Sequence, residues 1–307
     1  MDRSSRILGI IVAFAFAVAA HADEPVFGYT YTTDLLPRGK WEVEQWFSLQ
    51  ERQSRGTYHN LFLRTEVEHG ITDNFQAAFY VNNRSVRASG NSVTGETEGL
   101  DIPGDHDPAT SFSGFDFEGV SLELMYRVLS PYKDKVGLVL YAEPEVGPDE
   151  RALELRLILQ KNFLDDTLIL AGNFWVEPER EKELERDVEE DGEVAIDTEY
   201  EKATMAELDL GISYRFAPGW FGGIEYRNHN EFLGYTLAHG NQEHMAHFVG
   251  PTIHYGGQRW FATLTALRQV HATPYTDEQR ENTVGHKIYG HEHALWDGIR
   301  LKMGVTF

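Results

Sequence analysis

Twelve separate stretches of the chain alternate apolar and polar residues one for one. In the sixth, Leu153, Leu155, Leu157 and Leu159 interleave with Glu154, Arg156 and Gln160; in the eighth, Leu208, Leu210, Ile212, Tyr214 and Phe216 interleave with Glu207, Asp209 and Arg215. Successive side chains of an extended strand point to opposite faces, so each stretch reads as a strand with one apolar and one charged side. The stretches lie near 40–50, 58–69, 75–83, 119–129, 136–146, 152–162, 168–176, 205–216, 220–229, 246–255, 259–269 and 297–307. Most run about ten residues, the length a tilted strand needs to cross a bilayer.

The connections fix the architecture. After the even-numbered stretches come tight turns: GITDN at 70–74, SPYKDK at 130–135, LDDT at 164–167, PGW at 218–220 and YGGQ at 255–258. After the odd-numbered ones come long polar gaps at 84–118, 177–204, 230–245 and 270–296, with shorter ones at 51–57 and 147–151. This is the pattern of an all-β, transmembrane, antiparallel up-and-down β-barrel of about 12 strands, with short periplasmic turns and longer extracellular loops. A soluble sandwich would alternate too, but with its apolar faces turned inward and these charges in water. Aromatics at the segment ends (Trp41, Phe75, Tyr126, Tyr214, Trp220, Tyr226, Tyr255, Trp260 and Phe307) read as interfacial girdles and favour the barrel.

Both ends of the chain agree. Arg3 and Arg6, an apolar run from Ile7 to Ala20 and the small-x-small triplet Ala20-His21-Ala22 read as a signal peptide over 1–22; the apolar run is shorter than the ~20 residues of a helical span. Residues 23–39 read as a periplasmic lead-in, with VFGYTYTTDLLPRGK as a further extended segment that is either that lead-in or a barrel plug, and 40–307 as the barrel. The last stretch, IRLKMGVTF, stays alternating to its final residue. Terminal residues fray unless held, so this strand is expected to close the barrel against the first, the arrangement that satisfies every backbone group inside lipid. Met303, Val305 and Phe307 on its apolar side resemble the C-terminal assembly signal of Gram-negative outer-membrane proteins, which implies the barrel-assembly machinery as a partner.

The segments TDLLPRGKWEVEQWFSLQ (33–50), LRTEVEHGITDNFQAAFYVN (63–82) and GVSLELMYRVLSP (119–131) resemble those of an uncharacterised Gram-negative outer-membrane β-barrel family, close in style to the transporter-like barrels of phenol meta-pathway gene clusters. That resemblance implies a barrel among outer-membrane lipids, with no established substrate and no catalytic residues to carry over; its meta-pathway side points to hydrophobic or aromatic compounds as the solutes.

With the apolar faces outward, the expected lumen lining is Glu44, Arg64, Glu66, Glu123, Arg127, Glu143, Glu154, Arg156, Glu207, Asp209, Arg215, Glu225, Arg227 and Arg300, to which Glu42, Glu68, Glu145 and Lys302 add their charges. Two outcomes follow. Either the groups pair across a narrow barrel and fill it, giving a non-transporting structural or surface-interaction barrel, or they line a porin-like or transporter-like passage whose excess of acids favours cations and neutral small solutes. A net charge of −22 repels phosphate backbones and excludes nucleic acid as a partner. The chain has no cysteine, so an exported protein of this kind is held by its sheet, its core or a membrane.

Enzymatic chemistry is not expected, because Ser48, Ser121 and Ser213 sit in strands outside any nucleophile motif. Thirteen acids between Glu177 and Glu201 lack a calcium-loop spacing and read as a solvated loop. Nine of thirteen histidines fall between His229 and His293. The pair His291 and His293 is half of a metal site, and two ligands do not hold an ion, so neither metal nor cofactor is expected.

Overall fold

A computed structural model of the chain describes residues 26–99, 102, 106–188, 194–290 and 293–307. The expected signal peptide, 1–22, lies outside them. The strands are β1 (Trp41–Glu51), β2 (Thr57–Thr72), β3 (Phe75–Ser89), β4 (Phe112–Leu129), β5 (Gly137–Val146), β6 (Glu150–Phe163), β7 (Leu168–Val188), β8 (Val194–Ala217), β9 (Trp220–Leu233), β10 (Gln242–Gly256), β11 (Trp260–Pro274), β12 (Thr283–Val284), β13 (Lys287–Ile288) and β14 (Trp296–Thr306). Twelve of them form a closed barrel in which each pairs with its chain neighbour, and β12 and β13 form a separate small hairpin. Closure runs through β1 and β14, with Glu42 opposite Thr306 and Ser48 opposite Arg300. The Phe307 N–H donates to the Trp41 carbonyl at 2.9 Å, and the Trp41 N–H donates to the Phe307 carbonyl at 3.1 Å. The chain's aromatic last residue is therefore tied into the sheet.

All twelve expected stretches become barrel strands, and the differences lie at the long-gap end. There β3 continues to Ser89, β4 starts at Phe112, β7 runs to Val188 and β8 starts at Val194. Glu179 pairs with Ala203 and Lys182 with Tyr200, so much of the acidic stretch 177–204 is a projecting hairpin rather than a loop. Backbone pairing persists where the apolar-polar rhythm has stopped.

The barrel is inside-out relative to a soluble protein. Leu159, Leu210 and Ile224 are 46%, 46% and 54% exposed on the outer wall, whereas Glu225, Asp209 and Glu123 are 0–1% exposed within. Large apolar side chains facing outward and carboxylates facing inward reverse the usual order, and such a wall is stable against acyl chains rather than water. At the short-turn rim the Trp220 ring centre lies 4.8 Å from that of Tyr255, and Tyr255 4.9 Å from Trp260, both pairs tilted, forming part of an aromatic belt.

Residues 26–36 enter the barrel and cross it. Phe27 is fully buried against Ile169 and Ala171, Tyr29 packs with Phe248 and Leu267, and Leu35 sits among Met125, Val139 and Ile158. Two glycines make room for it. A Cβ on Gly211 would lie 2.7 Å from the Phe27 ring, and one on Gly298, whose φ is +137°, would lie 2.5 Å from the Tyr29 hydroxyl. At the opposite end the connection from β11 to β14, which contains α1 (Asp277–Glu281), folds inward. Gln269 holds it, its amide accepting from the Ile288 N–H at 2.7 Å and donating to the Ile288 carbonyl at 3.0 Å.

Candidate functional site

The crossing segment has no strand to pair with, yet its backbone groups are buried and need partners. Side chains on the inner wall supply them. The Glu225 carboxylate accepts from the N–H groups of Gly28, Tyr29 and Thr30, each at 2.8 Å, and from the Thr265 hydroxyl at 2.7 Å. Asn173 imitates a strand partner, accepting from the Tyr31 N–H at 2.7 Å and donating to its carbonyl at 2.9 Å. Gln160 accepts from the Thr33 N–H at 2.6 Å, and Gln76 from the Leu36 N–H at 2.8 Å. These contacts come from β9, β7, β6 and β3 in turn, so the segment forms a floor across the short-turn half of the lumen. Burial pushes the Tyr29 and Tyr31 phenols up, which keeps both hydroxyls neutral. Burial also raises the Asp34 carboxyl, against the opposing hydrogen bonds of Tyr132 and Gln160.

Above the floor the charges pair, as buried charges must. Arg227 forms a two-pronged contact with Glu207 at 2.6 and 2.8 Å. Arg156 donates to Glu154 at 2.6 Å, to Asn173 at 3.0 Å and to Asp209 at 3.3 Å. Arg64 meets Glu143 and donates to Ser121 at 3.2 Å. The guanidinium groups also lie over the floor's rings: Arg300 sits 3.8 Å and Arg227 4.7 Å from the Tyr29 ring centre, and Arg156 4.7 Å from that of Tyr31. Contacts of this type add about 0.5–2 kcal/mol each.

A cavity of about 220 Å³ remains between these groups, lined by Tyr29, Tyr31, Trp46 and Trp175, by Arg64, Arg156, Arg227 and Arg300, and by Glu154, Glu207, Asp209 and Asp297. Four bases face four acids, so this layer is balanced in charge. A second cavity of about 200 Å³ shares Gln50, Phe62, Arg227 and Asp297 with the first and lies toward the long-gap end. Its charged lining is acidic: Glu118, Glu150, Glu179, Glu181 and Asp297 against Arg84 and Arg227.

The remaining residues singled out from the sequence take several positions. Glu44 accepts from the Trp46 indole at 2.6 Å, and Tyr80 Oη lies 2.8 Å from both Glu66 and Glu123; these three acids line a smaller space beneath the floor with Lys302. Arg127 reaches the Thr33 carbonyl at 3.4 Å, at the rim. Arg215 is half-buried near the short-turn end of β8, away from both cavities. Met303, Val305 and Phe307 are 41%, 51% and 64% exposed on the outer wall. Ser48 accepts from Arg300 at 2.7 Å and Ser121 donates to Glu143 at 2.6 Å. His293 turns inward and is buried, while His291 lies outside the described residues. Sequence reasoning missed Tyr29, Tyr31, Asn173, Gln160 and Gln76 as working parts. The period-two run of YTYTTD at 29–34 was the available signal for the floor; neutral amides on the walls gave none.

The chain is matched over residues 19–307 by the model of a family of unknown function, DUF6662. No curated protein matches it in sequence. Among solved structures, the COG4313 outer membrane channel from Pseudomonas putida F1 is similar in fold, with a TM-score of 0.51 at 11% identity, covering 90% of this chain and 98% of that one. The NanC porin gives 0.45 at 9% identity and the KdgM porin 0.41 at 12%, each covering 87% of this chain and 98% of its own. At these identities the likeness is one of fold. The chain belongs to the DUF6662 family, whose function is unknown, and folds as a closed twelve-stranded antiparallel barrel.

Proposed function

We propose that the protein is an outer-membrane channel for small solutes whose resting lumen is closed by residues 26–36. The observation that carries this reading is how the floor is held. It hangs on wall side chains such as Glu225, Asn173, Gln160 and Gln76 rather than on strand pairing, so it can leave while the barrel's own ladder stays intact. Solutes reach the inner cavity from the long-gap side. The acidic outer cavity favours cations and neutral molecules, and the balanced inner cavity, with guanidinium planes and aromatic rings, suits a small planar solute. The resemblance of three segments to barrels of phenol meta-pathway clusters agrees with an aromatic solute, and the Pseudomonas putida protein of similar fold is itself an outer membrane channel.

In this reading residues 1–22 direct export, 23–39 supply the lead-in and the floor, and 40–307 form the lipid-embedded barrel. Met303, Val305 and Phe307 engage the assembly machinery, so truncating Phe307 lowers the folded fraction in cells; an unchanged fraction contradicts that role. No enzymatic step is assigned. A second reading, a barrel filled by its ion pairs, draws on the Arg64–Glu143, Arg156–Asp209 and Arg227–Glu207 contacts. Uptake into proteoliposomes carrying the chain without residues 26–36, whose lumen the floor no longer closes, separates the two. A small cation or neutral aromatic passes faster than an anion of equal size, and changing Glu118, Glu179 and Glu181 to glutamine narrows the difference. Uptake no faster than the leak of protein-free liposomes supports the filled barrel and overturns the channel.

A further inference from the structure

Three buried histidines from distant parts of the chain converge near the outer cavity. His229 on β9, His244 on β10 and His293 just before β14 are 4%, 2% and 5% exposed, and one ligand nitrogen from each lies within 4.8 Å of the others. The Nε2 atoms of His244 and His293 are 2.7 Å apart. Two far nitrogens are hydrogen-bonded to carboxylates, His293 Nδ1 at 2.8 Å from Asp297 and His229 Nδ1 at 2.9 Å from Glu207, and the Glu231 carboxylate lies 3.6 Å from His244 Nδ1. A carboxylate at hydrogen-bond distance holds the proton on Nδ1 of His293 and of His229 and aims their Nε2 lone pairs the other way, the arrangement found around metal-bound histidines; the 2.7 Å contact then places the His244 proton on Nε2, and a metal ion displaces it, to Nδ1 beside Glu231 or to solvent. His229 Nε2 is buried with no hydrogen-bond partner among the described residues, a state that costs about 1–3 kcal/mol unless something binds there.

We propose that His229, His244 and His293 bind one first-row divalent transition-metal ion, with zinc favoured by three imidazoles and an open fourth position. Zinc–nitrogen distances of about 2.0–2.1 Å in a tetrahedral site separate ligand nitrogens by about 3.3 Å. The His244 and His293 rings open by about 0.6 Å to reach it. The fourth position faces the outer cavity, which His229 and His293 line, and takes a water or a donor group of a passing solute. The ion bridges the β9–β10 wall to the inward-folded connection before β14 and fixes that connection over the lumen. This site goes beyond the channel reading, and its test reads binding rather than passage.

The test titrates zinc against a chromophoric chelator into the purified, refolded full chain in detergent, with cobalt as a spectroscopic substitute. One ion per chain is expected, with the intense visible absorption of tetrahedral cobalt. His229→Ala and His244→Ala each weaken binding by at least a hundredfold and remove that absorption. Asp297→Asn, which withdraws the carboxylate behind His293, weakens it about 10–100-fold. A triple change of His247, His271 and His286, whose rings cluster separately at 6.1 and 5.4 Å, leaves it unchanged. The proposal is overturned if zinc does not bind, or if binding survives the first pair of changes and is lost with the second set. If an alanine variant fails to fold, the histidine 15N chemical shifts of the unaltered chain, recorded with and without zinc, decide the matter. Zinc-dependent shifts of His229, His244 and His293 support the site, and unchanged shifts at all three overturn it.

Discussion

Replacing Glu225 with alanine tests how the floor is attached. The carboxylate is fully buried and accepts three backbone N–H groups, from Gly28, Tyr29 and Thr30, besides the Thr265 hydroxyl. Truncation leaves three donors without an acceptor. A buried unsatisfied donor costs about 1–3 kcal/mol, and because water enters the vacated volume the low end applies, giving about 3 kcal/mol against the docked floor. At ~1.4 kcal/mol per tenfold, the undocked population rises about a hundredfold. The chain has no cysteine, so a single Thr30→Cys substitution reports this population through its rate of maleimide labelling. Thr30 is 2% exposed and its hydroxyl has no hydrogen-bond partner among the described residues, so the probe removes none of the bonds described. The barrel's strand pairing is untouched, and far-UV circular dichroism and heat-modifiable gel mobility serve as controls. Equal labelling rates with glutamate and alanine at 225, in a folded barrel, refute the attachment described.

Arg156→Ala leaves Asp209 and Glu154, 3.3 and 2.6 Å from the lost guanidinium, as buried carboxylates without that partner; the expected loss is about 3–5 kcal/mol, read from the denaturant midpoint of unfolding in detergent or bilayer. Burial raises the Asp34 carboxyl, so its neutral form is the one favoured in the docked floor. That contribution is fully present below the ordinary aspartate value of about 3.9 and is lost as pH rises through the raised value. Hydrogen-exchange protection of residues 29–36, corrected for intrinsic rates, therefore falls with rising pH, and Asp34→Asn removes this slope; a slope that persists in the variant contradicts the assignment. Leu157→Arg puts a charge on the outer wall where leucine is 40% exposed, at an expected cost of about 2–4 kcal/mol near the bilayer midplane. A neutral effect on unfolding from lipid contradicts a lipid-facing wall.

The architecture was legible because a barrel wall writes its two faces into the sequence residue by residue. Leu153 to Leu159 and Leu208 to Phe216 alternate as their exposures do, and the short turns between stretches set the order of the strands. Legibility fails where neither face of a strand is apolar. Beyond Val176 on β7 the run from Glu177 to Glu183 is charged apart from Pro178, so the rhythm fades although Glu177 still pairs with Met205. Site chemistry was less readable. Charge placed Glu225 and Asn173's neighbour Arg156 inside the lumen, but nothing local to residue 225 announces that it will cap N–H groups nearly two hundred positions earlier in the chain. Asn173, Gln160 and Gln76 carry no charge and are indistinguishable in sequence from ordinary polar strand residues. The three histidines are separated by up to 64 positions, and only barrel closure together with the inward fold of the last connection brings them together.

Single-channel recording in planar bilayers, comparing the full chain with one lacking residues 26–36, reads out whether the floor closes a conducting lumen. A floor-closed channel opens rarely as the full chain, and removing the floor gives sustained, discrete, cation-favouring steps from an otherwise folded barrel. Silence from both proteins, or identical conductance in both, contradicts it.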